Sequence, residues 1–290
     1  MTDRTGASLT LKSPPSELVG TVVARCDLTP SHLEQMYGLL GAYFEGVSRE
    51  RFAADLAEKE WVVLLTRPAT GEVRGFSTLM RIALSQEASG TGPGASGAGP
   101  EASDAGPEAS GAGPRASGAG PGASGAGPVV AYFSGDTIIH RDDWGSPELP
   151  RTWIHHAMDL ARREQGARVY WYLISSGYKT YRFLPVFFRE FYPTWERPTP
   201  PEVQRLLDEL GRQKFGAQYD PGRGVIRFRE AAPLRQGVAE VTERRLKDPA
   251  VAFFVQANPG HGEGDELACI AELNPANFTP AGLRMLGGRL

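Results

Sequence analysis

Cysteine is almost absent from this chain of 290 residues, which has only Cys26 and Cys269. They are too far apart for a CxxC pair, so no cysteine metal motif is available. Each falls in an apolar, strand-like context that suits a buried free thiol in a reducing compartment, although a disulfide between them is compatible with the sequence. A surplus of positive charge is also missing: 31 Lys and Arg oppose 34 Asp and Glu, a net charge of −3. Without excess cations to meet phosphates, nucleic acid is not an expected partner. No apolar run approaches the roughly 18 residues of a membrane span. Residues 1–20 are polar and lack the apolar core of a secretory signal. The expectation is a cytoplasmic protein without a membrane partner. What remains is 41% hydrophobic, with ample length for one large domain or two small ones.

Residues 88–128 contain no Val, Ile, Leu or aromatic residue. They form a tandem repeat of seven residues, such as ASGTGPG, ASGAGPE and ASGAGPR, and hold 13 of the 35 glycines. Such a tract cannot bury enough apolar surface to offset its ordering entropy. Its period excludes collagen, which needs glycine at every third position. It also lacks the apolar positions of a coiled-coil heptad. The sequence predicts a disordered hairpin loop over residues 86–128, tolerable because closure entropy grows only with the logarithm of loop length.

The organising stretch is residues 129–193. It reads strand, turn, helix, strand, helix. Residues 169–174 are apolar at every position, as a central strand covered on both faces must be. The preceding helix carries a stripe of Trp153, Ile154, Ala157, Leu160 and Ala161. Two strands joined by such a helix should pair in parallel with a right-handed crossover, and ligands of such sheets lie beyond the strands' carboxyl ends. Those ends are residues 140–146 and 175–181.

Upstream, residues 1–16 are polar, 19–26 read as a strand, and Thr29-Pro30 opens a helix whose Met and aromatic stripe belongs in a core. A second helix over 49–58 precedes a hairpin of strands at 61–66 and 73–82. Downstream, 202–214 is an amphipathic helix and 225–228 a short strand. Helices start at Thr242 and Asp248, 266–273 is a strand, and Thr279 caps a last helix.

This order of elements resembles the GNAT N-acetyltransferase superfamily over residues 19–193. The resemblance implies an α/β (α+β) fold, a mixed twisted sheet flanked by helices. Residues 17–197 would form that domain, and 198–290 a C-terminal α+β extension packed on it. In the family, a V-x-P-x-x-R-G-x-G turn after the fourth strand binds the pyrophosphate of acyl-CoA through backbone N–H groups and a helix N-terminus. The matching turn here runs from Ile139 to Pro147. Ile139 and Gly145 agree, while Arg141, Trp144 and Pro147 replace the family's Pro, Arg and second Gly. Ser146 reads as the helix cap, Pro147 and Pro150 lack N–H groups, and Glu148 adds a negative charge. Arg141 and Arg151 are the candidate replacements for the lost donors.

The family's thiolate-protonating tyrosine falls at Phe187, which has no proton to give. Tyr178 and Tyr181 are the nearest substitutes. With Ser175 and Ser176 they would line a polar pocket at the strand's end. Alternatively, Ser176 or Thr180 caps a helix and the tyrosines pack. His140, at the end of the central strand, is the general-base candidate, and Asp136, evenly spaced from it, is expected to face the same way. His155 and His156 diverge on their helix. His261, with Glu263, Asp265 and Glu266, is the weakest metal candidate, so no metal is expected. No G-x-S-x-G elbow supports serine hydrolase chemistry.

The expected activity is acyl transfer from acetyl-CoA or another acyl-CoA to an amine of a small molecule or protein. Tyr178 or Tyr181 would act as acid, His140 or Asp136 as base, and Ile139, Arg141, Gly145, Ser146, Arg151, Ser175 and Ser176 would hold the acyl-CoA. The alternative is a GNAT-like binding or regulatory module without acyl-CoA.

Overall fold

In a computed structural model of the chain, residues 17–84 and 127–287 are described. The polar N-terminal 16 residues and the repeat tract, apart from Gly127 and Pro128, lie outside them. The fold is a mixed α/β structure built on one sheet of eight strands, ordered β1-β2-β3-β4-β5-β8-β7-β6. β1 (Val19–Ala24), β2 (Trp61–Arg67), β3 (Glu72–Leu84) and β4 (Val129–Ile139) form an antiparallel run. The β3–β4 hairpin closes with Leu84 opposite Val129, so the repeat tract leaves and re-enters the sheet at adjacent positions.

β4 and β5 (Arg168–Ser175) are parallel and joined by α3 (Glu148–Arg163). Their pairing stops at Ser134 opposite Leu173, and the strands part beyond it. On the far side of β5, the C-terminal strand β8 (Glu266–Glu272) pairs antiparallel from Tyr170 to Ser175. The short strands β7 (Val225–Ile226) and β6 (Tyr219–Asp220) complete that edge.

Side chains alternate across the pleat, and each face collects its own core. One face carries Tyr132, Trp171, Leu173 and Cys269. It packs on Trp153, Ile154 and Ala157 of α3, and on α4 (Tyr178–Tyr181), α5 (Phe183–Phe187), α7 (Pro249–Ala257) and α8 (Pro280–Met285). The other face has two clusters. Val62, Leu64 and Phe76 meet α1 (Pro30–Tyr43) and α2 (Arg49–Ala57), while Tyr170, Tyr172 and Ile270 meet α6 (Pro201–Phe215).

Local signals behave as chemistry dictates. The Thr29 hydroxyl accepts from the backbone N–H of His32, and the Ser48, Asp248 and Thr279 side chains cap α2, α7 and α8 in the same way. The helix expected from Thr242 is only a 3-10 turn at Arg245–Lys247, because Asp248-Pro249 restarts the backbone. The expected helix after β5 splits into α4 and α5 at Arg182, with Pro185 inside the second piece. Both cysteines are free; Cys269 is buried in β8, but Cys26 is exposed in a turn after β1, against the expectation of two buried thiols.

Candidate functional site

Where the α1–α2 layer and α6 diverge on the same sheet face, they leave a cavity of about 760 Å³. Its floor is the gap between the parting ends of β4 and β5, continued by the start of β8. Apolar and aromatic walls come from Phe133, Phe215 and Phe228. At the floor stand two carboxyls, Asp136 and Glu266.

Asp136 reaches the cavity because of a bulge. Between the pairs Ser77–Thr137 and Leu79–Ser134, β4 spends two residues where β3 spends one. The extra residue reverses the alternation, so Phe133, Asp136 and Ile138 share the cavity face despite their uneven spacing. Gly135 beside Asp136 is the sequence signal for such a bulge. A Cβ there would lie 3.1 Å from the Thr78 hydroxyl and 3.2 Å from the Lys59 side chain. Glu266 is the first residue of β8, and Ser176 hydrogen-bonds its carboxyl. Sequence reasoning overlooked Glu266 as a pocket residue, since nothing local says that β8 lies beside β5.

Burial, reinforced by the nearby Asp55 carboxylate, pushes Asp136 up to about 7. Burial likewise pushes Glu266 up to about 8, with the Ser176 hydrogen bond opposing and Asp136 adding to the rise. Neither carboxyl forms an ion pair among the described residues, and Lys59, Lys214, Arg51 and Lys179 around the cavity hold other partners. Lys59 pairs with Asp55 at 2.6 Å, Lys214 with Glu58, and Arg51 with the carbonyl of Glu230. Lys179 donates to the Val238 carbonyl at 2.6 Å and lies 3.2 Å from the centre of the Trp144 ring, closing the rim between the β4–α3 turn and the C-terminal segment.

Of the other expected site residues, Ile139, Gly145 and Ser176 line this cavity. His140 does not: its Nδ1 accepts from Arg74 Nη2 at 2.6 Å, within a cluster where Arg74 also binds Glu72 and Asp143. The idea that it faces the pocket with Asp136 is corrected, because Arg74, a buried guanidinium, holds the imidazole. Tyr178 and Tyr181 do not line the pocket either. Both are buried in the core on the opposite sheet face, and the Tyr181 hydroxyl donates to the Pro193 carbonyl at 2.9 Å. Ser175 is buried, with its hydroxyl donating to the Gly177 carbonyl.

The backbone amides of the turn expected to hold acyl-CoA are largely taken by partners within the protein. The amide of Arg141 donates to the Tyr43 hydroxyl, that of Ser146 to the Asp143 carbonyl, and that of Glu148 faces the Ser146 hydroxyl at 3.4 Å. Arg151 is held by Glu148 at 2.5 Å, and the Arg141 side chain is exposed and outside the cavity lining. Asp142 and Asp143 follow β4 and Glu148 opens α3, so the turn carries three carboxylates where the helix N-terminus would meet an anion. On the α3 side of the β4–β5 gap only about 30 Å³ is open, between Trp153, Trp171, Phe187 and Phe188. These residues do not fit an acyl-CoA, and no step through it follows from them. Among the described residues no group of three His, Cys, Asp or Glu could hold a metal.

No protein-family model matches the chain, and no curated protein matches it. Solved structures of similar shape include a Trypanosoma brucei acetyltransferase, at 16% identity over 67% of this chain and 92% of that one, with a TM-score of 0.30. Another is a mutant of the AtaT toxin bound to the C-terminus of the antitoxin AtaR and acetyl-CoA, at 13% identity over 59% of this chain and 84% of that one, with a TM-score of 0.31. A third is a bacterial toxin, at 10% identity over 69% of this chain and 87% of that one, with a TM-score of 0.30. Likeness at this level says nothing of what this chain binds, and its mixed α/β assignment rests on its own strand order.

Proposed function

We propose that this chain is a small-molecule-binding module of GNAT-like build, that its ligand carries an amine, and that it works without acyl-CoA. The observation that carries the reading is the cavity floor: two half-buried carboxyls with no cation of the protein paired to them. An acid at a cavity floor without a counter-ion favours a ligand that brings one, and an ammonium group brings both charge and three N–H donors. The aromatic walls suit an apolar body attached to that group. Absence of acyl-CoA is supported by the occupied amides and the three carboxylates at the β4–α3 turn.

The test is calorimetry with two families of probe. Primary amines with apolar bodies, such as phenethylamine, are expected to bind. Acetyl-CoA and a longer acyl-CoA are expected to give no heat at millimolar concentration. Acyl-CoA binding that is lost in Arg141→Ala would overturn the reading and restore acyl transfer.

A further inference from the structure

We infer that Asp136 and Glu266 act as one acid pair that exchanges a proton for the ammonium group of the ligand, so that binding releases a proton. The inference rests on the amine reading above and adds to it how the site is regulated. The two side chains come from strands separated by β5, and they reach one floor because β4 bulges at Gly135 and β8 begins at Glu266. Ser176, at the end of β5, bonds the Glu266 carboxyl between them.

The charged groups facing this floor come from every surrounding element, and they leave the pair uncompensated. From α2 and its end, Asp55 and Lys59 pair with each other, and Arg51 turns to the Glu230 carbonyl and the Phe228 ring. From α6, Lys214 is bound to Glu58. From α4, Lys179 is bound to Val238 and Trp144. Arg229 and Glu230, after β7, are exposed at the rim. Two interacting carboxyls in such surroundings resist ionising together, and they titrate as a pair. Burial raises both into the physiological range, Asp136 to about 7 and Glu266 to about 8, so that part of the pair is protonated at neutral pH. When an alkylammonium enters, a protonated carboxyl becomes a carboxylate paired with it. The O–H bond breaks, no covalent bond forms, and the proton leaves to solvent.

The experiment is a pH-stat titration of the full chain with phenethylamine in unbuffered salt, with 2-phenylethanol as the neutral control. Linkage predicts release of about half a proton per amine bound at pH 7 and about one at pH 6, with an affinity that rises about tenfold per pH unit below the pair's titration. The neutral alcohol should release none. Asp136→Asn and Glu266→Gln should each reduce the proton count and flatten the pH slope, with folding verified by circular dichroism. Amine binding without proton release, or an unchanged pH slope in both variants, would overturn the exchange while leaving the amine reading intact. No heat from phenethylamine or spermidine at millimolar concentration would overturn both.

Discussion

Ser134 carries more of the core than its size suggests. Its hydroxyl accepts from the indole N–H of Trp153 at 3.2 Å and from that of Trp171 at 2.9 Å, and all three residues are buried. Each indole N–H left without an acceptor costs on the order of 1–3 kcal/mol. Ser134→Ala should therefore destabilise the protein by about 2–4 kcal/mol. Urea unfolding followed by tryptophan fluorescence would measure it, and a loss under about 1 kcal/mol would mean that another acceptor reaches the indoles. A second residue-scale case is Gly211 on α6, where a Cβ would lie 2.6 Å from the Tyr219 ring. Tyr219 is itself fixed by its hydroxyl bond to Asp208 at 2.9 Å, so Gly211→Ala should lower the urea midpoint despite alanine's better helix propensity.

At the scale of elements, β8 decides how the halves of the chain relate. It covers β5 from Tyr170 to Ser175, and it contributes Leu267, Cys269 and Ala271 to one core and Ala268 and Ile270 to the other. Removing it would leave the most apolar strand of the sheet with a bare edge, its N–H and C=O groups unpaired. A chain truncated after Pro198 should be insoluble or molten, with a broad, non-cooperative melt by circular dichroism. A sharp melt from the truncated chain would show that residues 17–197 fold alone.

At the scale of the whole molecule, the sheet register bears on the repeat tract. Leu84 and Val129 are direct cross-strand partners, so a two-residue turn can replace what lies between. Substituting Asn-Gly for residues 85–128 should leave the melting temperature within a few degrees. A drop of ten degrees or more would show that the tract contributes to the fold. The acid pair gives the molecule a second global property. Both carboxyls hold protons in the folded state that the unfolded chain gives up at ordinary carboxylate pH, near 4. Their contribution is therefore present at low pH and is lost as pH rises toward about 7 for Asp136 and about 8 for Glu266. His156, whose burial lowers its pKa, acts in the opposite sense, but only around and below its ordinary value near 6.5. Between pH 7 and 8.5 stability should fall, and the fall should flatten when Asp136→Asn is combined with Glu266→Gln. Urea midpoints across that window would decide it.

The sequence by itself determined the pieces whose causes are local. Thr29-Pro30 begins α1 because a hydroxyl cap and a fixed φ act within one turn. The stripe on residues 153–161 makes an amphipathic helix because its period follows from the α-helix alone. The all-apolar β5 announces a strand covered on both faces, and Pro147, Glu148 and Pro150 already argue against an anion cradle at α3. Tertiary structure decided the rest, because its causes lie far apart in the chain. Tyr178 and Tyr181 read as polar pocket residues, yet both are buried in the core, the Tyr181 ring against Phe254 and Phe191. His140 is taken by Arg74, a residue 66 positions away. The floor of the cavity exists only because β4 bulges against β3 and β8 lies beside β5. Pairing across such separations is chosen by the burial and hydrogen bonding of whole strands, which no window of the sequence contains.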